Sequence, residues 1–290
     1  MVDKKSIVME FLKHNILLSP EELETINEQN YMEFLNKHLN KKTKKQTPNK
    51  IEIVVNNEQR ETMDVNEFIE ETINNYNALK EIILKKINAV SIDKAKKLPS
   101  STIIGRVAEI TNNGFVIEDV TGSVPVITND DDIEKGDVLG VSGFTRDGIF
   151  FAKKIIWPDI PLTEVGKRTG DITIHLLDKK EPEISIQDIR KKITADFAEL
   201  LVRAGDEEIK AIALKTNADK EKVINFLKKR TIKINDMKTA LIKEIPNFIW
   251  LFNRTDEWSA NYKGVVVIST APGTHAIYKT KKGEVLFEKI

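Results

Sequence analysis

Apolar and polar positions alternate in five short runs across the middle of the chain: Thr102–Ile110, Gly114–Asp119, Gly122–Ile127, Asp137–Gly143 and Gly148–Ile155. A period of two, broken by turn residues, predicts short half-buried strands. The period differs before them. Ile7, Val8, Phe11 and Leu12 recur at helical spacing, and Ser19-Pro20-Glu21-Glu22 supplies a capping serine, a proline in the first helical position and a glutamate three residues after the cap. Leu23, Ile26, Tyr31, Met32, Phe34, Leu35 and Leu39 complete a small helical unit. Lys41–Lys50 has no period and contains a proline, which predicts a linker. Asp64 and Glu67 then open a long helix to about Asn88, striped by Val65, Phe68, Ile69, Ile73, Tyr76, Leu79, Ile83 and Ile87.

After Leu162 the patterns mix. Helices are predicted over Ile186–Val202, Glu207–Lys215, Asp219–Lys229 and Asp236–Ile245. Strands are predicted over Ile172–Leu177, Phe248–Phe252, Val265–Thr270, Ala276–Lys279 and Glu284–Glu288. The fold class expected is a multidomain α+β chain. Its parts are an N-terminal helical module (1–40), a linker (41–64), a connecting helix (65–97), an OB-type β-barrel (98–162) and an α/β domain (163–290). Barrels of that type bind single strands of nucleic acid or serve as protein-docking modules.

Composition narrows the chemistry. Lys plus Arg equals Asp plus Glu at 45 each, so the net charge of zero argues against coating nucleic acid by bulk electrostatics. The local candidates for phosphate contact are Arg106, Lys153 and Lys154 on the barrel strands. With no cysteine there is no disulfide, thiolate chemistry or sulfur-based zinc site. No secretory leader and no apolar run of membrane-spanning length is read, so a cytoplasmic protein without a membrane partner is expected. There is no glycine-rich phosphate loop ending in Lys-Ser or Lys-Thr. Asp130-Asp131-Asp132 lacks the glycine and terminal glutamate of a calcium loop.

Several segments resemble the small subunit of the archaeal family D DNA polymerase, within the accessory B-subunits of replicative polymerases. They are Phe11–Glu21, Tyr76–Lys86 with Val90-Ser91-Ile92, Ile104–Val107, Glu118–Gly122, Val138–Gly143 and above all Trp157-Pro158-Asp159-Ile160-Pro161-Leu162. The resemblance covers roughly residues 5–165 and continues more weakly, in order, to residue 290. It implies a calcineurin-like phosphoesterase after the barrel. In active members that domain holds two metals and removes nucleotides from a DNA 3′ end. Here the domain reads as truncated and degenerate. Asp178 is kept, but Lys180 stands where a histidine ligand belongs. Asp206 keeps a Gly-Asp motif, and Asn253-Arg254-Thr255-Asp256 replaces Asn-His-Asp. The chain has only four histidines, His14, His38, His175 and His275. The last two are read as a strand residue and a turn residue without a ligand role.

The resemblance therefore implies a non-catalytic accessory subunit, not an enzyme on its own, docked on a large catalytic subunit and reaching DNA as part of that complex. No resident cofactor is expected, beyond one weakly held Mg²⁺ on Asp178, Asp206, Asn253 and Asp256. Trp157, Pro158, Asp159, Ile160 and Pro161 are the candidates for the docking contact, with packing of Trp157 on its own barrel weighed equally. Two alternatives stand beside this reading. One is an active metal-dependent 3′-end exonuclease. The other is a DNA-binding module with a helix-turn-helix in 207–230, its phosphate contacts made by Lys220, Lys222, Lys228 and Lys229.

Overall fold

A computed structural model of the chain describes residues 4–13, 25–27, 30–35, 51–57, 64–164, 171–234 and 239–290. The chain divides into two compact units, residues 1–52 with 203–206, and residues 53–202 with 207–290.

The first unit contains helix α1 (Lys4–Lys13) and a helical turn over residues 31–35. Ile7, Phe11, Ile26 and Leu35 form its buried cluster, with Tyr31 and Phe34 packed against it. This is the apolar stripe expected from the spacing. The Ser19-Pro20 cap, His14, His38 and the Lys41–Lys50 linker lie outside the described residues.

In the second unit, helix α2 (Val65–Leu84) leads through the short α3 (Ile92–Ala95) into five strands. These are β2 (Ser101–Thr111), β3 (Gly114–Asp119), β4 (Gly122–Ile127), β5 (Val138–Arg146) and β6 (Ile149–Ile156). They close a barrel in the order β2-β3-β4-β6-β5. Neighbours are antiparallel except β4 and β6, which run parallel. Val107, Phe115, Ile117, Val124, Val126, Leu139, Val141 and Phe150 alternate into its core. The second half of α2 packs on the outside of the barrel through Leu79 and Ile83 against Ile104 and Val138. Gly140 permits this approach, since a Cβ there would lie 2.9 Å from Ile87 and 3.3 Å from Ile83.

The remaining strands make two larger sheets and one hairpin. A six-stranded sheet has the order β1 (Ile51–Asn57), β10 (Phe197–Ala204), β11 (Glu207–Lys215), β14 (Phe248–Phe252), β16 (Val265–Ser269), β15 (Trp258–Tyr262). Its centre, β11-β14-β16, is parallel. A five-stranded antiparallel sheet has the order β18 (Glu284–Lys289), β17 (Thr274–Lys279), β7 (Thr173–Asp178), β8 (Glu183–Ile186), β9 (Ile189–Lys192). β12 (Thr231–Lys233) and β13 (Thr239–Leu241) form the hairpin. Helix α4 (Lys220–Lys229) buries Val223 and Leu227. Asp219 caps it by accepting the Lys222 N–H, and Arg230 ends it in the left-handed conformation at φ 55°.

Three expectations are corrected here. Ile186–Val202 and Glu207–Lys215 are strands, not helices. No helix precedes α4 across a short turn, so there is no helix-turn-helix in 207–230. Asp236–Ile245 carries β13 and no helix among its described residues. Ile51–Asn57, inside the stretch read as linker, is a strand at the edge of the larger sheet. Among the described residues, no helix is long and apolar enough to cross a membrane.

Candidate functional site

The ends of β7, β14 and β16 converge on one carboxylate. Asp178, the last residue of β7, is 1% exposed. Its Oδ2 accepts the backbone N–H of Asn253 at 2.6 Å and the Thr270 hydroxyl at 2.8 Å. The Trp250 indole N–H donates to the same hydroxyl oxygen at 2.9 Å. Asn253 has φ 59°, so the chain turns sharply after β14 and presents its N–H to the carboxylate. Burial pushes the Asp178 carboxyl above the ordinary carboxylate range, and the two hydrogen bonds only partly reverse this.

Of the residues expected to mark a former metal site, the structure brings Asp178 and Asn253 together. Lys180 is exposed, Asp206 is exposed in the turn between β10 and β11, and Asp256 is exposed beyond β14. Asp256 Oδ1 lies 3.5 Å from the Arg254 guanidinium. Arg254 has an 8% exposed side chain and donates to the Thr216 carbonyl at 2.6 Å. A shallow cavity of about 340 Å³ beside Asn253 is lined by Lys179, Lys180 and Lys215 as well as Glu181 and Asp196. Two adjacent divalent ions need several anionic or imidazole donors with free lone pairs. This corner offers one carboxylate already engaged by two donors, with a buried guanidinium and three ammonium groups around it. The family's metal pair does not fit these residues. Among the described residues, no three His, Asp or Glu side chains are grouped to hold a metal.

The segment leaving the barrel is internal. Trp157 is 7% exposed and belongs to the barrel core, while Ile160 is 1% exposed and sits among Val223, Leu227, Ile249 and Val267 of the α/β part. Expected as exposed anchors, both are instead buried in the chain's own cores, because three residues span the gap between two apolar interiors. The Lys86 ammonium donates to the carbonyls of Trp157 (3.3 Å), Pro158 (2.6 Å) and Asp159 (3.0 Å). Asp159 accepts the Tyr262 hydroxyl at 3.0 Å and pairs with Lys263. Lys228 and Lys229 lie 5.2 and 5.4 Å from the centre of the Trp157 ring. Lys229 also meets Asp137 of the barrel at 2.9 Å, a pair with both side chains 9% exposed. Only Pro161 and Leu162 of this stretch face solvent.

The three nucleic-acid candidates do not form one patch. Arg106 lies 3.7 Å from Glu118 on β3. Lys154 stands opposite Ser142, itself opposite Thr102, four residues before Arg106 on β2. At strand rise that separates them by about 13 Å. Lys153 is exposed and sits 5.5 Å from the Phe144 ring, which stacks on Phe151 at 5.1 Å.

Two groupings escaped sequence reasoning. Asp119 Oδ1 accepts the N–H and hydroxyl of Thr121 and the N–H of Gly122, while Oδ2 accepts the N–H of Ile92. The Asp-x-Thr-Gly spacing signals such a turn, though not its tie to α3. His175 and His275 meet across β7 and β17, with Nδ1 and Nε2 2.8 Å apart. They are 100 residues apart in sequence, so no local spacing announces them.

No family model matches the chain. It is 26% identical over 110 residues to the DNA polymerase II small subunit of Archaeoglobus fulgidus. That match takes in 34% of this chain and 22% of the relative.

Proposed function

We propose that the chain is a non-catalytic accessory subunit of a DNA polymerase, docking on a large catalytic subunit and meeting DNA within that complex. The similarity to a polymerase small subunit supports the polymerase assignment. The barrel supports it too. A strand order of one-two-three-five-four, closed by a parallel pair between the third and fifth strands, is that of an OB fold. Two sheets with a parallel centre and a single described helix are in keeping with a reduced phosphoesterase domain.

The observation that carries the non-catalytic part is the Asp178 corner. Its carboxylate is held by Asn253 and Thr270, and Arg254 is buried where the resemblance expects a metal-binding motif. A domain with that corner acts through its surface.

The docking face we assign is the first half of α2. Val65, Phe68, Ile69 and Ile73 share one side of the helix and are 69%, 45%, 48% and 52% exposed. Glu67, Glu70 and Glu71 flank them, and no Lys or Arg occurs in the helix before Lys80. Such a stripe suits an apolar surface with a basic rim on the large subunit. A second copy of this chain would set carboxylates against carboxylates.

Tagged full-length chain, purified from its native host, should carry a DNA polymerase large subunit with it. With Mn²⁺ and a labelled single strand, the chain alone should leave the 3′ end intact. Degradation that vanishes in Asp178→Asn would overturn the non-catalytic assignment. Absence of any polymerase chain from the eluate would overturn the docking.

A further inference from the structure

On the face of the five-stranded sheet opposite Asp178, strands β7 and β17 place two imidazoles against each other. His275 is paired with Leu177 and His175 with Ile277, so the histidines are diagonal neighbours on one side of the ladder. Nδ1 of His175 lies 2.8 Å from Nε2 of His275, and the rings are near parallel at 26°. Glu288 of β18, opposite His275 in register, has a carboxylate oxygen 3.4 Å from the other nitrogen of that ring. We propose that His175 and His275 form a two-imidazole site for a divalent transition ion of the tetragonal type, Cu²⁺ above all.

The tautomers favour this. A carboxylate beside Nδ1 of His275 holds the proton on that nitrogen and leaves the Nε2 lone pair directed at His175. Burial lowers the pKa of His175, and the adjacent His275 lowers it further, so the neutral ring needed for ligation prevails at neutral pH. The nitrogen spacing selects the ion. Two bonds of roughly 2.0 Å meeting at a right angle put the nitrogens about 2.8 Å apart, whereas a tetrahedral angle puts them about 3.3 Å apart. The observed 2.8 Å matches adjacent corners of a square. Both ligands stand on paired strands, one of which is paired on its other side as well, so the spacing is fixed by the sheet. Water would complete the coordination, since only two protein nitrogens converge. The site is independent of the proposed function.

Cu²⁺ titrated into the full chain should fill one tight equivalent by calorimetry. Electron paramagnetic resonance should show coupling to two imidazole nitrogens. His175→Gln and His275→Gln should each weaken that equivalent at least about tenfold and remove one nitrogen from the spectrum. Glu288→Gln, at a side chain 59% exposed, should keep both nitrogens and weaken binding about 10- to 100-fold. It decides the matter if a histidine variant does not fold. A His14→Gln/His38→Gln double variant should bind as the parent does. Copper binding that survives unchanged in the His175, His275 and Glu288 variants, or is lost only in the double variant, would overturn the site.

Discussion

The Thr270 hydroxyl and the Asp178 carboxylate are joined at 2.8 Å in the dry interior between the two sheets, and the Asn253 N–H reaches the same oxygen. The contact is structural, and its energetics follow from burial. Asp178→Asn keeps an oxygen for both donors and removes a buried charge. The variant should melt at or above the parent's temperature at pH 7. Asp178→Ala leaves an N–H and a hydroxyl without their acceptor and should cost about 1–3 kcal/mol. Because the folded carboxyl has a raised pKa, its contribution is full below the unfolded value and is lost as pH rises through the folded one. The parent should therefore gain on Asp178→Asn between pH 7 and pH 4, read by thermal melts at both.

Trp157→Ala removes a large side chain from the barrel core and the ring beneath two lysines. A loss of about 3–5 kcal/mol is expected, measured by urea unfolding. A loss below about 1 kcal/mol would show that the indole is not a core element.

Asp119 tests the turn that ties α3 to the barrel. Burial alone would raise its pKa, but hydrogen bonds from Thr121, Ile92 and Gly122 outweigh burial and hold it below the ordinary range. A depressed folded pKa gives stability that is present above the unfolded value and lost as pH falls through the folded one. Asp119→Ala should thus be less stable than the parent by about 1–3 kcal/mol at neutral pH. The gap should close as pH drops below the normal aspartate range. Paired unfolding curves at pH 7 and pH 3 check both statements.

Ile69→Glu/Ile73→Glu places two charges on the exposed stripe of α2, away from its buried Leu79 and Ile83. Its melting temperature should stay within a few degrees of the parent's, while polymerase recovered by co-purification falls at least tenfold. Normal recovery would place the docking face elsewhere.

The barrel was legible because each strand has one wet and one dry face, and five alternating runs with turn residues admit few other readings. Helix α4 was legible from Asp219, its cap, and Val223 and Leu227 on one side. Glu207–Lys215 was not, for a physical reason. In β11, Ile209, Ala211, Ile212, Ala213 and Leu214 are all buried because the strand lies in the middle of the sheet, with β14 parallel beside it. A strand covered on both faces loses its alternation, and Ala and Leu in that run are also strong helix formers. Asp178 was found through its neighbours in sequence. Its engagement by Thr270 was hidden, since 92 residues separate the two. Trp157 was singled out correctly as a key residue, but chain pattern cannot tell an indole that faces a partner from one that faces its own barrel.

Lys86 bears on mechanics. An ammonium has three protons, and here each has a backbone carbonyl, on Trp157, Pro158 and Asp159 in succession. The segment is thereby stapled to the end of α2 as it passes from one core into the next. Rotation of the barrel about this connection would break three charge-assisted bonds at once, and the Lys229–Asp137 bridge beside them. The barrel and the sheets behind it should respond to a load as one lever, with α2 as its handle. A pull on that helix would turn both.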